Sequence, residues 1–74
     1  MSIAQKIEVL VNGEPRTVTD GLTVAALLAE LAIDRARVAV ELNREIVRKA
    51  DWDSTQVHSG AHLEIVWFVG GGRR

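Results

Sequence analysis

Residues 63–74 read LEIVWFVGGGRR, so a run of strand-forming residues passes without a turn signal into three glycines. Valine, isoleucine and aromatic residues favour a packed, pleated strand, whereas glycine has no Cβ and allows another backbone to approach closely. We therefore predict a buried last strand that ends in a bare tail able to enter a narrow slot. Glycine runs at chain ends are also typical of frayed linkers without a role, and the run alone does not separate these interpretations.

Length and composition indicate one small domain. The chain has 74 residues, 47% of them hydrophobic, with 9 basic and 10 acidic residues and no cysteine. A chain of this length buries only about 60% of its unfolded surface, so we expect no internal cleft of enzyme size. The lack of cysteine excludes a disulfide scaffold and any thiolate nucleophile or metal site. With scattered basic residues and a net charge of -1, nucleic acid is not an expected partner.

The start of the chain predicts a cytoplasmic protein. Residues 1–6 lack a basic segment followed by a sustained apolar one, and no apolar run approaches the ~20 residues of a membrane-spanning helix. We expect no membrane contact and a monomer when the protein is free.

Local patterns before the last strand predict a hairpin and one helix. Residues 7–11 and 14–18 are strand-like and flank Asn12-Gly13, a strong hairpin signal. Pro15 has no amide hydrogen, which favours an edge position for the second strand. Thr23 is the predicted N-cap of a helix, and four apolar residues at helical spacing form its buried face: Val24, Leu27, Leu28 and Leu31.

The second half of the chain predicts two more strands before the last one. Residues 36–42 alternate, with Val38 and Val40 on the buried face, and Asn43-Arg44 is a plausible tight turn into residues 45–47. Residues 48–57 are polar and irregular. We expect the apolar side chain of Trp52 to pack into the core and hold this segment against it.

This order of elements predicts an α+β fold, a roll of the β-grasp kind with one main helix on a mixed sheet of four to five strands. Residues 1–69 would form the domain and residues 70–74 a flexible tail. If the first and last strands lie together in the middle of the sheet, Leu63, Ile65 and Trp67 face the helix. Alternation then places Val66 and Phe68 on the opposite face, where exposed apolar residues indicate a docking patch for a partner.

Residues 63–72 resemble the carboxy-terminal signature of the ThiS family, the sulfur carriers of bacterial thiamin biosynthesis. The resemblance extends to Asn12-Gly13, to the DGLTV run at residues 20–24, to Leu27-Leu28 and to the VELNREIV run at residues 40–47, so that it covers essentially the whole domain. It implies a ubiquitin-like β-grasp fold. It also implies a protein cosubstrate rather than an enzyme.

The resemblance further implies where the chemistry takes place. The carboxylate of Gly72 would be adenylated by a ThiF-like adenylyltransferase that uses ATP, and then converted to a thiocarboxylate. Gly70, Gly71 and Gly72 would enter the partner's active site, no cofactor would be bound by the chain itself, and a sulfur donor system would load the carrier. A ThiG-like synthase would receive the sulfur for thiazole formation.

One feature departs from the family pattern, because Arg73-Arg74 follow Gly72 whereas the family ends at its diglycine. The two arginines are interpreted as a processing remnant or an added extension; a phosphate-contacting pair is the weaker interpretation. Alternatives remain open at this point: a related carrier for molybdopterin, cysteine or tRNA thiolation, or a β-grasp interaction module that is never modified.

Two further pairs of residues could carry chemistry. His58 and His62 lie four apart, a spacing that binds metal on a helix, but Ser59-Gly60 interrupts the segment. Asp51 and Asp53 resemble paired carboxylates, yet no nucleophile accompanies them, and a role in a capped turn is the better interpretation. We expect exposed turn histidines, structural aspartates and no metal site.

Hydrogen exchange tests the predicted boundary between strand and tail. Slow amide exchange should extend through residues 63–69 and stop there, because glycines add no side-chain contacts that would protect residues 70–74. Residue-resolved exchange of the free protein measures this directly. Strong protection of the Gly70, Gly71 and Gly72 amides would contradict a tail that is available to a partner.

Overall fold

The computed structural model describes residues 5–68, which form one α-helix and five strands. The elements in chain order are β1 Lys6–Val11, β2 Glu14–Thr19, α1 Val24–Glu30, β3 Val38–Leu42, β4 Glu45–Val47 and β5 His62–Trp67, with 3₁₀ turns at Arg35–Arg37 and Lys49–Asp51. The strand order is β2-β1-β5-β3-β4. Strands β1 and β5 run parallel and the other neighbours antiparallel. The predicted mixed sheet of the β-grasp type is confirmed; the predicted boundary at residues 69 and 70 lies outside the described residues.

Two tight turns connect β1 to β2 and β3 to β4, and asparagine begins each of them. Asn12 and Gly13 have φ of 51° and 83°, and Asn43 and Arg44 have φ of 52° and 73°. Consecutive residues at positive φ define the turn type whose twist suits a two-residue hairpin. Pro15 lies in β2, at the edge of the sheet as predicted.

The helix covers one face of the sheet. Thr23 is its N-cap, since its hydroxyl accepts a hydrogen bond of 3.1 Å from the Ala26 amide. The apolar face of α1 packs on alternate residues of the central strands, and this arrangement confirms the predicted helical face. The buried core consists of Val9, Val11, Val18, Val24, Leu27, Leu28, Val38, Val40, Trp52, Val57, Ala61, Leu63 and Ile65.

Trp52 ties the irregular segment to the core, as predicted. Its side chain is completely buried, and its indole Nε1 donates a hydrogen bond of 2.8 Å to the Val47 carbonyl at the end of β4. Its own carbonyl accepts a hydrogen bond of 3.0 Å from the Ala25 amide in α1. One residue therefore joins the loop, the helix and the edge strand.

The predicted start of the third strand at residue 36 is wrong. Ala36 and Arg37 belong to the first 3₁₀ turn, and β3 begins at Val38. The Asp34 carboxylate accepts a hydrogen bond of 3.0 Å from the Ala36 amide, while the Asp34 carbonyl accepts one of 3.0 Å from the Arg37 amide. These bonds hold the backbone in a turn where alternation alone predicted a strand.

The side chain of Asn12 extends the parallel pairing beyond the end of β1. Its Oδ1 accepts a hydrogen bond of 2.7 Å from the Ile65 amide, and its Nδ2 donates one of 3.1 Å to the Ile65 carbonyl. The Asn12 backbone amide also donates to the Leu63 carbonyl at 2.8 Å. The Asn12 side-chain amide thus makes the hydrogen bonds to β5 that the backbone of a further β1 residue would make. It fixes β5 against the first hairpin.

Asn43 performs a related role on the other side of β5. Its amide donates to the His62 carbonyl at 2.7 Å, and its Oδ1 accepts from the His62 amide at 3.0 Å. The asparagines of both tight turns therefore hold the last strand. Within residues 5–68, no helix has the length and apolar character that crossing a bilayer requires.

Replacing Asn12 by aspartate tests the contribution of its side chain to stability. Asn12→Asp keeps the shape and the acceptor but puts a carboxylate oxygen against the Ile65 carbonyl, which loses its donor. We expect the free energy of unfolding to fall by about 1 to 3 kcal/mol, the cost of a part-buried acceptor without a donor. Urea denaturation at neutral pH measures this change.

Asn43→Asp is the matched control. At Asn43 the described hydrogen bonds use Oδ1 and the backbone amide, which aspartate retains, so the change should stay within about 0.5 kcal/mol. Equal losses for the two variants would show that general charge effects, not the Asn12 donor, are being measured.

Candidate functional site

The end of β5 extends beyond the end of β1, its neighbour on one side. Register pairs join β1 and β5 only at Leu10 with His62 and at Val11 with Leu63, and the Asn12 side chain reaches Ile65. Strand β3 remains paired with β5 as far as Trp67. Past Ile65, the last strand therefore has a neighbouring strand on one side only among residues 5–68.

Three consecutive apolar residues at this end are exposed to solvent. Val66, Trp67 and Phe68 are 57%, 50% and 55% exposed; we call them the β5 end patch. The prediction that Val66 and Phe68 are exposed is confirmed. The expectation that Trp67 is buried beneath the helix is wrong, because β1 has already turned away at Asn12 and leaves Trp67 without a neighbour on that side.

Phe68 follows β5, and its backbone is bonded to the 3₁₀ turn that precedes β3. Its amide donates a hydrogen bond of 2.8 Å to the Arg37 carbonyl. The Lys49 ammonium lies 5.7 Å from the centroid of the Phe68 ring and 5.8 Å from that of Trp52. A cation over an aromatic ring at this distance is weakly attractive, so Phe68 lies against a charged side chain instead of the core.

Basic side chains surround this end of the sheet. The Arg35 guanidinium lies 5.4 Å from the Trp52 ring centroid, and its Nη1 is 3.8 Å from an Asp53 carboxylate oxygen. The Arg37 Nε lies 3.3 Å from Asp34 Oδ2. Exposed pairs of this kind contribute little to stability. Because each arginine is paired with an aspartate, Lys49 is the cation that the structure places against the β5 end patch.

The face of the sheet opposite the helix carries a shallow groove next to Val66. Its volume is about 190 Å³, and its lining residues, called here the outer groove, are Ala39, Val40, Glu41, Ile46, Glu64 and Val66. Ile46 is 75% exposed, the most exposed of the large apolar residues in the described part of the chain. Sequence analysis did not single out Ile46, although the alternation of the short strand β4 was a signal for its outward position.

The remaining candidates lie apart from the β5 end patch. His58 and His62 are exposed, and no group of three His, Cys, Asp or Glu residues suited to a metal ion occurs within residues 5–68. Asp53 pairs with Arg35, and the Asp51 carbonyl accepts a hydrogen bond of 2.7 Å from the Thr55 hydroxyl. The Asp53 contact uses the carboxylate and the Asp51 contact only the backbone, so a capping role for the two aspartate side chains stays a prediction. Gly70, Gly71 and Gly72 lie outside the described residues.

The fold shows the class of protein, and comparison with known proteins shows its family. The mixed sheet with a central parallel pair of terminal strands under one helix is that of a ubiquitin-like β-grasp domain. The model of the ThiS family matches residues 9–72, and the chain belongs to this family. The resemblance seen in the sequence is thereby confirmed.

Solved and curated relatives agree with this assignment. A crystal structure of the thiamine biosynthesis protein ThiS from Geobacter metallireducens superposes with a TM-score of 0.78 at 39% identity, covering 89% of this chain and 100% of that one. An uncharacterized protein ycf40 of Porphyra purpurea is 31% identical over 70 residues, which are 95% of this chain and 99% of the relative.

One relative is much longer than this chain. A thiazole synthase of Paramagnetospirillum magneticum is 47% identical over 66 residues, which are 89% of this chain but 20% of that protein. The chain therefore spans only one fifth of the length of this synthase. A segment similar to 89% of this chain lies within a protein of that name.

Truncating Phe68 tests whether the β5 end patch serves binding rather than stability. We expect Phe68→Ala to change the free energy of unfolding by less than about 1 kcal/mol, whereas a buried phenylalanine would lose about 3 to 5 kcal/mol. The same variant should bind the predicted adenylating partner more weakly. Thermal unfolding and a binding titration measure the two effects.

Ile65→Ala is the control, because Ile65 is buried three residues earlier in the chain. It should lose about 2 to 5 kcal/mol of stability. A large loss of stability for Phe68→Ala with unchanged affinity for the partner would contradict the assignment of the docking patch.

Proposed function

We propose that this chain is the sulfur carrier of thiamin thiazole synthesis. It acts as a protein cosubstrate that partner enzymes modify, and it binds no cofactor of its own. Membership of the ThiS family is the observation that carries the proposal. The position of residues 70–72 directly after the central strand supports it.

The reacting group is the α-carboxylate of Gly72. A ThiF-like adenylyltransferase uses ATP to form an acyl adenylate at this carboxylate and releases pyrophosphate. A sulfur nucleophile from a donor system then attacks the acyl carbon and AMP leaves, which yields a thiocarboxylate. The chain contains no cysteine, so a terminal thiocarboxylate supplies the nucleophilic sulfur that no side chain offers.

Glycine suits the tail because the adenylate forms inside another protein. Gly70, Gly71 and Gly72 have no Cβ, so they can pass through a channel that larger residues would obstruct. Arg73 and Arg74 follow Gly72 in this chain. Their removal would have to precede activation, because the Gly72 carboxyl is in a peptide bond to Arg73 until that bond is hydrolysed, and because long charged side chains do not fit a slot suited to glycine.

The partner docks on the β5 end patch, with Val66 and Phe68 as its main contacts. Both residues are more than half exposed, and the Phe68 amide is bonded to the Arg37 carbonyl in the 3₁₀ turn before β3. A fixed apolar surface next to the tail can hold the carrier while the tail occupies the active site. In this mode of binding, the partner captures the carboxy-terminal segment of the carrier and also contacts a preformed docking surface on it.

A ThiG-like thiazole synthase is the proposed recipient of the sulfur. The similarity to one fifth of a thiazole synthase supports this choice over a pathway such as molybdopterin or tRNA thiolation. The free chain acts as a monomer in the cytoplasm, and neither nucleic acid nor a membrane is a partner.

Truncation after Gly72 tests the proposed chemistry. A chain that ends at Gly72 should be converted by the adenylating partner, ATP and a sulfur donor, and its mass should rise by about 16 Da as one oxygen is exchanged for sulfur. The full chain should react poorly or not at all. Intact-mass spectrometry of the reaction products measures both.

Gly72→Ala in the truncated chain is the matched control, and it should react much more slowly because a methyl group intrudes where the adenylate forms. An interaction module that is never modified would show no difference among the three chains. Equal modification of the full and truncated chains, with the sulfur mapped to Arg74, would overturn the assignment of Gly72.

A further inference from the structure

The backbone hydrogen-bonding groups of β5 point alternately to its two neighbours. On the β1 side, the Leu63 carbonyl accepts a hydrogen bond of 2.8 Å from the Asn12 amide, and both backbone groups of Ile65 bond to the Asn12 side chain. On the β3 side, the Phe68 amide donates a hydrogen bond of 2.8 Å to the Arg37 carbonyl. The backbone groups of odd-numbered residues therefore point toward β1, and those of even-numbered residues toward β3.

Trp67 is the next residue of β5 whose N–H and C=O point toward the β1 side. Strand β1 ends at Val11, and the chain turns away at Asn12 and Gly13. The pairing of Trp67 with Val38 of β3 is of the kind in which the two residues exchange no hydrogen bonds. Both backbone groups of Trp67 are therefore without a partner within residues 5–68. The sheet has a short open edge here, in line with β1.

The outer edges of the sheet are protected against further pairing, whereas this inner edge is not. Strand β2 carries Pro15 between Glu14 and Arg16, and β4 has only three residues. Proline, charge and shortness are features that keep exposed strand edges from pairing with other chains. The β5 end patch contains no proline and no charged residue. An exposed apolar edge of this kind is a site at which another strand can pair.

Asn12 shows which chemical group this edge binds. Its side chain is a planar amide that uses one acceptor and one donor on Ile65, at 2.7 and 3.1 Å. Trp67 presents the same two groups roughly 6.6 Å further along the strand. A peptide backbone consists of such amides, and a residue of an antiparallel strand can exchange both hydrogen bonds with the residue opposite. An anion would satisfy only the N–H and a cation only the C=O, so an extended backbone fits best.

We propose that an extended backbone segment of the adenylating partner pairs with Trp67 and continues the sheet in the line of β1, an inference that rests on the proposed function. The choice of partner follows from position, because Trp67 lies between Val66 and Phe68, which the same enzyme is proposed to contact. Strand addition of this kind takes its affinity from backbone hydrogen bonds. It also fixes the register of the enzyme on β5, and with it the number of residues between the paired position and Gly72.

Residue-resolved hydrogen exchange of the full chain tests the inference in two states. In the free protein, the Trp67 amide should exchange at least about tenfold faster than the Ile65 and Phe68 amides, which have hydrogen-bond partners. The protection that the sequence predicts across residues 63–69 should therefore be interrupted at Trp67. Saturation with the adenylating enzyme should slow the exchange of the Trp67 amide at least about tenfold.

Trp67→Pro tests the hydrogen bond itself, and Trp67→Ala is the matched control. Both variants lose the indole ring, but only proline removes the N–H. Calorimetric titration should show that Trp67→Pro binds the adenylating enzyme about tenfold more weakly than Trp67→Ala, because a carbonyl of the enzyme loses its donor. The thermal midpoints of the two variants should agree, since the N–H that proline removes has no partner within residues 5–68.

An ester at residue 67 removes the same N–H without the conformational restriction of proline. Incorporation of the α-hydroxy analogue of tryptophan keeps the indole ring and replaces the amide nitrogen by oxygen. This chain should bind the enzyme about tenfold more weakly than the parent. It decides the question if Trp67→Pro does not fold.

Other results overturn defined parts of the inference. If Trp67→Pro and the ester bind as well as their reference chains and the Trp67 amide stays fast in the complex, the enzyme contacts side chains only, and the proposed function is unaffected. Protection of this amide by the thiazole synthase alone would overturn the choice of partner. Protection that grows with the concentration of the free chain would assign the edge to a second copy. If the parent does not bind the adenylating enzyme, the proposed docking and this inference fail together.

Discussion

The parallel contact between β1 and β5 is the constraint on which the described structure depends. It joins the first and last strands, so forming it closes a loop of about 50 residues, which has an entropic cost. Only two register pairs form the contact. The amide of Asn12 extends it by binding both backbone groups of Ile65, and this places Leu63 and Ile65 in the core under the helix.

The same contact explains why an apolar surface lies beside the proposed reactive tail. Strand β1 turns away at Asn12 and Gly13, while β3 stays paired with β5 as far as Trp67 and the preceding 3₁₀ turn bonds the Phe68 amide. The last strand is therefore fixed along one side and uncovered on the other. A rigid base with exposed apolar side chains is a suitable support for a segment that another protein must position.

Charge is distributed unevenly around this surface, although the net charge is only -1. Basic side chains lie at the end of β5, where Lys49 contacts Phe68, and opposed carboxylates lie on the outer face at Glu41 and Glu64. The proposed carrier would meet more than one enzyme, so it would need surfaces that distinguish them. Complementary charge affects the rate and specificity of such encounters more than their affinity.

The sequence alone determined the features that depend on neighbours in the chain. Tight turns at Asn12 and Asn43, the cap at Thr23 and the alternation of the strands follow from local backbone preferences, and the glycines with their family resemblance indicated the reactive end. The tertiary structure decided the exposure of Trp67 and the opposition of Glu41 to Glu64. Those features depend on where one strand ends beside another. The register between strands that are distant in sequence is set by packing and by side-chain hydrogen bonds, and local sequence patterns do not contain this information.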